Sequence, residues 1–270
     1  MRRLILGLGL ALVLCGFLGV QRKETPVTRN ISYGVGEELE YRVHFGMFTV
    51  GKAITRVDKK YHTYNSRTCY KVDAYGETSD WISWVAKVDD NWGAYIDTTT
   101  LLTHMAYRKL REGKYRRDEE AFFDHDQRKV EVKVKNRDTG AIESKTYDVP
   151  PNAKDLVAGF LFLRIVDFRK VSVGDTITIS GFLEDASYDL RIIYTGREVI
   201  ETKIGKVPCI RVRPVMPKNS LFDGENSVLC WISDDMNRIP VKLQAKMFIG
   251  NTGLELIRFR GLRNPLRIAF

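Results

Sequence analysis

ELEYRVHF, residues 38–45, alternates without a break. Leu39, Tyr41, Val43 and Phe45 point one way, and Glu38, Glu40, Arg42 and His44 the other, the pattern of a strand with one buried and one wet face. The same period of two returns in VEVKVK (130–135), YDLRI (188–192) and IPVKLQAKM (239–247). Parallel strands covered on both faces would read as continuous apolar runs, so the pattern predicts antiparallel sheets. Turn-forming residues punctuate the runs: DHD (124–126), NRDTG (136–140), FDGEN (222–226) and GNTG (250–253).

Two stretches depart from this rhythm. NAKDLVAGFLFLRIVDF (152–168) follows Pro150 and Pro151, crowds its apolar residues together and offers Asp155 as a cap, which predicts a helix from about Asp155 to Phe168. Being apolar nearly all round, it must be buried or cover a hydrophobic surface. SDWISWVAKV (79–88) places Trp81, Trp84, Val85 and Val88 at helical spacing behind Ser79 or Asp80, a shorter helical turn.

The chain also repeats itself. YGVGEELEY starts at Tyr33 and VSVGDTITI at Val171, both running Val-Gly-acid into alternation. CYKV begins at Cys69 and CIRV at Cys209, two residues from register when Gly36 is set on Gly174. AYIDTTTLLT (94–103) matches CWISDDMNRIP (230–240) as a strand end, an aspartate turn and a return. Three landmarks in one order imply a duplication. The expected fold is all-β and mainly antiparallel, two repeated β-rich halves forming a curved sheet or barrel-like body, with one buried connecting helix. The expected organisation is a signal peptide or anchor (1–20), a linker (21–32), a first β repeat (33–150), the connecting helix (151–170), a second β repeat (171–262) and a C-terminal tail (263–270).

The chain has 270 residues, 44% hydrophobic and 11% aromatic, enough for a sizeable core. Arg2 and Arg3 precede an unbroken apolar run from Leu4 to Val20, the layout of a secretory signal or an uncleaved anchor, so the body is expected outside the cytoplasm. Leu14 before Cys15 does not suit lipid attachment, and no later run is apolar enough for a membrane-spanning helix. The net charge of +9 is spread along the strands rather than gathered in one block, which describes a solvated surface and not a nucleic-acid site. It also permits peripheral association with an anionic membrane. Three cysteines follow the signal, Cys69, Cys209 and Cys230, without metal-ligand spacing. They read as packed thiols, with Cys209 and Cys230 the one candidate disulfide because they flank a hairpin.

VGEELEYRVHFGMFTVGKA (35–53), CYKV (69–72), KVDDNWGAYIDTTTLL (87–102), REGKY (111–115) and WISDDMNRIPVKL (231–243) together resemble an exported bacterial family known as domain-of-unknown-function family 3108, from about Tyr33 to Phe259. The resemblance implies a β-rich envelope protein and carries no activity or catalytic residue with it.

Chemistry is sparse. His44, His62, His104 and His125 stand beside no nucleophile elbow, and no Gly-rich phosphate loop occurs. DHDQ (124–127) reads as a self-capping turn, and no cofactor or metal is implied. Asp89-Asp90 and Asp234-Asp235 read as turn residues. The candidate ligand-binding residues are aromatic. Trp81, Trp84 and Trp92 fall in a segment that the second half largely lacks, and Phe160 and Phe162 stand on a helix suited to act as plug or lid. The expected function is a non-catalytic envelope protein holding a lipid or other amphipathic ligand between its halves. The alternatives are a glycan hydrolase using Asp89 or Asp234 near the tryptophans, and a structural or assembly partner that offers strand edges to another envelope protein. In the tail, Leu266 and Ile268 alternate up to Phe270, but Pro265 argues against a final outer-membrane strand.

Overall fold

The computed structural model describes residues 25, 27, 29–84, 87–137, 139–215, 227–248 and 250–269. The expected signal or anchor, Cys15, the FDGEN turn and Phe270 lie outside them.

Alternating sequence gives a meander of antiparallel strands. The first half supplies β1 (Glu38–Phe45), β2 (Phe48–Val57), β3 (His62–Tyr64), β4 (Arg67–Thr78), β5 (Asp89–Asp97), β6 (Thr103–Glu112), β7 (Tyr115–Asp124), β8 (Lys129–Lys135) and β9 (Ile142–Asp148). After α1 (Leu156–Leu163) come β10 (Thr176–Leu183), β11 (Ala186–Thr202), β12 (Gly205–Pro214), β13 (Val228–Ser233), β14 (Pro240–Met247) and β15 (Gly250–Arg260). All fifteen join one curved sheet in the order β10-β11-β12-β13-β14-β15-β1-β2-β4-β5-β6-β7-β8-β9, with β3 beside β4. The last strand pairs with the first, Leu39 opposite Phe259, so the two meanders meet in mid-sheet.

The sheet does not close. Its edges are β9 and β10, which are consecutive in the chain, and α1 lies in the connection between them. Contacts cross the seam: Ser187 Oγ donates to the Asp148 carbonyl at 3.3 Å, and the rings of Tyr147 and Phe182 lie 5.4 Å apart. One core gathers α1 against β4–β8, with Tyr70, Ile96, Phe123 and Val130. A second gathers Phe168, Ile177, Ile192 and Ile210, and a third Leu39, Trp231, Ile239 and Leu256. In β1, Leu39 and Tyr41 are buried as alternation requires, while Phe45 is exposed because the strand has reached the rim.

Two turns are built alike. Gly36 at φ +84° donates to the Val57 carbonyl at 3.1 Å, and Val57 N–H returns to Glu37 O at 2.8 Å. Gly174 at φ +93° donates to Tyr194 O at 2.8 Å, and Tyr194 N–H returns to Asp175 O at 3.0 Å. A side chain other than glycine is strained at such φ values. The returns after β5 and β13 also correspond. Thr98 N–H meets Thr68 O at 2.9 Å, as Asp234 N–H meets Pro208 O at 2.8 Å. Asp97 caps the N–H groups of Thr99 and Thr100, as Asp235 caps those of Asn237 and Arg238.

The helix is shorter than its apolar run predicts, ending at Leu163 rather than Phe168. Arg164 and Ile165 N–H groups turn back to Leu161 and Phe162 in a tightened last turn, and Val166 then pairs with Val27. Tertiary pairing overrides the helical propensity there. Residues 79–84 form a single helical turn, held by the Ile82 and Ser83 N–H groups on Ser79 O, and Val85 lies outside the described residues. Cys209 and Cys230 are free thiols, and so is Cys69. Cys209 faces Ser233 and Cys230 faces Val212 across the ladder. That offset of three residues sends the two side chains to opposite faces of the sheet, where no bridge can form.

Candidate functional site

The helix LVAGFLFL is held at both ends by buried polar groups. At its start, Asp155 accepts from Val157 N–H at 2.8 Å and Ala158 N–H at 3.3 Å, and Thr103 Oγ1 donates to it at 2.6 Å. Burial pushes the Asp155 carboxyl above its ordinary pKa, and it lowers the neighbouring Lys154 ammonium to about 8. The Lys154 ammonium lies 5.4 Å from the centre of the Phe162 ring. At the other end the Arg164 guanidinium grips Glu37 with both Nη atoms, the second at 2.8 Å. It also donates to Asn237 O at 2.9 Å and Ser32 O at 3.1 Å. Arg164 thereby ties the helix to the N-terminal segment and to the β13–β14 return.

Pinned this way, α1 does not fill the concavity. A cleft of about 250 Å³ runs along one side of it, lined by residues including Tyr41, Ala53, Val72, Trp92 and Leu254. A second, of about 240 Å³, runs along the other side, against Ile179, Leu190, Val228 and Ala245. Leu156, Phe160, Cys230 and Leu243 line both, so Phe160 is the partition between them. Phe160 is 47% exposed although its helix is otherwise sunk in the core. The walls are almost wholly apolar, and charge enters only at the ends, as Arg164 in the first cleft and Lys154 with Asp155 in the second. Such a trough accepts hydrocarbon, with polar groups at its mouth or end.

Of the sequence candidates, the structure brings Trp92 and Phe160 to the first cleft. Phe162 instead packs against two core clusters. Trp81 and Trp84 lie outside the clefts on the Ser79–Val88 connection, 55% and 84% exposed. Asp89 and Asp234 are not brought to one cleft. Asp89 opposes Glu77 at one rim, whereas Asp234 follows β13 at the other end of the strands and pairs with Arg197 at 3.0 Å. Two carboxylates must share one cleft for glycoside hydrolysis. Among the described residues no group of three or more His, Cys, Asp or Glu is placed to hold a metal. A larger hollow of about 500 Å³ on the outer face is lined mainly by charged and tyrosine side chains, and its Asp73 is already engaged by Tyr107 and by Lys71 at 3.0 Å.

Sequence reasoning missed Ala53, Gly159, Leu243 and Leu254. Ala53, Leu243 and Leu254 belong to alternating runs, and alternation alone does not separate a residue that lines a cleft from one packed against a neighbour. Gly159 gave a faint signal as the smallest residue of an apolar helix, and a Cβ there would meet nothing within 4 Å.

A curved antiparallel sheet with a helix in its open seam defines a β-barrel-like protein. The crystal structure of a beta-barrel-like protein of domain of unknown function DUF1849 from Brucella abortus is similar at TM-score 0.52 and 10% identity, over 84% of this chain and 97% of that one. The hypothetical protein CT021 from Chlamydia trachomatis is similar at TM-score 0.38 and 9% identity, over 89% and 94%. No curated protein matches the sequence. Residues 40–257 match the family described as protein of unknown function (DUF3108), and the chain belongs to that family.

Proposed function

We infer that this is an exported, non-catalytic envelope protein that holds the hydrocarbon part of an amphipathic lipid in the clefts beside α1. The single observation that carries the reading is the pair of apolar clefts meeting at the half-exposed Phe160. A pocket for a small ligand measures about 300–1,000 Å³, and the two clefts joined past Phe160 reach that range. Export rests on the N-terminal pattern of Arg2, Arg3 and the apolar run to Val20. The matching turns at Gly36 and Gly174, and at Asp97 and Asp235, support the further reading that residues 33–150 and 171–262 repeat one unit, with the clefts at their junction.

The test is native mass spectrometry of the protein purified gently from its own envelope, with lipid extraction of what accompanies it, followed by titration with the fluorescent fatty acid cis-parinaric acid. A recurrent bound lipid and saturable probe fluorescence are expected. Gly159→Leu fills open space in the second cleft, and Ala53→Phe narrows the first. Together they are expected to weaken probe binding about four- to fifteenfold, the loss set by excluding one or two methylenes of apolar contact. Bare protein and no saturable probe signal would refute the reading.

A further inference from the structure

Several turns at one end of the sheet carry an exposed apolar residue. Met47 and Phe48 on the β1–β2 turn are 99% and 66% exposed, Phe248 after β14 is 64%, and Tyr115 on the β6–β7 turn is 51%. Trp81 and Trp84 stand beside them. The turns form one rim. Gly46 N–H bonds Asn251 O at 2.7 Å, Ser79 N–H bonds Val50 O at 2.9 Å, and Gly113 N–H bonds Lys87 O at 2.7 Å. Isolated exposed apolar residues need no account, but six on adjoining turns form a patch that marks an interaction site.

The two tryptophans indicate what covers it. Trp81 Nε1 donates to Thr49 O at 2.9 Å, and Trp84 Nε1 to Trp81 O at 2.9 Å. Each indole therefore keeps its hydrogen bond inside the protein, and its ring can enter hydrocarbon without stranding a donor. Trp, Tyr and Phe at separate projecting tips suit the interfacial layer of a bilayer, where an apolar ring meets wet headgroups. Lys87, Lys114 and Lys246 are exposed on the same turns. Asp80 and Glu112 lie among them, so long-range attraction comes from the whole chain, whose net charge is +9.

We propose that this rim docks on an anionic lipid bilayer, inserting Met47, Phe48, Trp81, Trp84, Tyr115 and Phe248 at headgroup depth. The inference is separate from the cleft reading, and an empty cleft would leave it intact. The test uses the full chain reconstituted with vesicles of phosphatidylethanolamine and phosphatidylglycerol whose acyl chains carry bromine, a short-range quencher of indole fluorescence. Quenching is expected for the wild type and most of it is lost in Trp81→Phe with Trp84→Phe; any quenching that persists there is that of Trp92 by an acyl chain in the first cleft, since Trp231 is buried. Met47→Glu with Phe48→Glu keeps both indoles and is expected to reduce quenching about tenfold, because each charge opposes insertion. Both side chains are well exposed, so this variant folds. Co-sedimentation without quenching would show attachment through the N-terminal apolar run alone and would overturn the proposal. So would a concentration-dependent dimer, abolished by the same variant, in a protein whose indoles brominated lipid does not quench.

Discussion

Replacing Arg164 by Leu is expected to destabilise the protein by about 3–5 kcal/mol, the cost of stranding one partner of a buried ion pair. Both side chains of the Arg164–Glu37 pair are only 3% exposed, so water cannot replace the missing guanidinium around the Glu37 carboxylate. The carbonyls of Asn237 and Ser32 lose their donor as well. With a urea dependence of about 3 kcal/mol/M for a chain of this size, the unfolding midpoint falls by about 1–1.7 M. The assay is urea denaturation followed by circular dichroism and by tryptophan emission. Added salt should leave the difference nearly unchanged, because the pair is out of reach of screening. The double variant Glu37→Met with Arg164→Leu removes both charges, and it is expected to recover more than half of the loss. A midpoint shift below about 0.3 M in Arg164→Leu, or a double variant no more stable than the single, would refute the argument that this pair pins the helix across the seam.

Lys154 is 7% exposed and titrates at about 8 in the fold, against about 10.4 in an unfolded chain, so between these values the unfolded state binds more protons and stability rises with pH. The wild type should therefore gain on Lys154→Met by about 2 kcal/mol from pH 8 to 10, and parallel denaturation curves at the two pH values would sink the assignment. The thiols of Cys209 and Cys230 are raised to about 12 and that of Cys69 to about 11 by burial, so iodoacetamide at pH 8 should leave all three unmodified in the native protein. In urea without reductant all three should be alkylated, and mass spectrometry that found Cys209 and Cys230 protected there would restore the disulfide. A Cβ on Gly93 would stand 2.2 Å from the Tyr107 ring, which leans over the strand to reach Asp73. Gly93→Ala is expected to cost about 1–3 kcal/mol, and an unchanged melting temperature would show that the ring has room to move.

ELEYRVHF and its counterparts determined the antiparallel sheet, because a side-chain period of two is a local property that any one strand displays. Asp155 determined where the helix starts, since a cap acts within one turn of itself. The end of that helix was decided in tertiary structure, by Val166 pairing with Val27 and by Arg164 reaching Glu37 and Asn237 from far along the chain. The fate of the tryptophans was decided there too. Three residues close in sequence separate when a strand intervenes, and β5 carries Trp92 inward while the turn leaves Trp81 and Trp84 at the rim. The cysteines part for the same reason, since proximity in a hairpin says nothing of face until the register is known. The clefts belong wholly to the tertiary structure. Ala53, Leu243 and Leu254 are ordinary apolar positions in sequence, and only the distance at which α1 stands from the sheet makes them walls of a cavity instead of parts of a filled core.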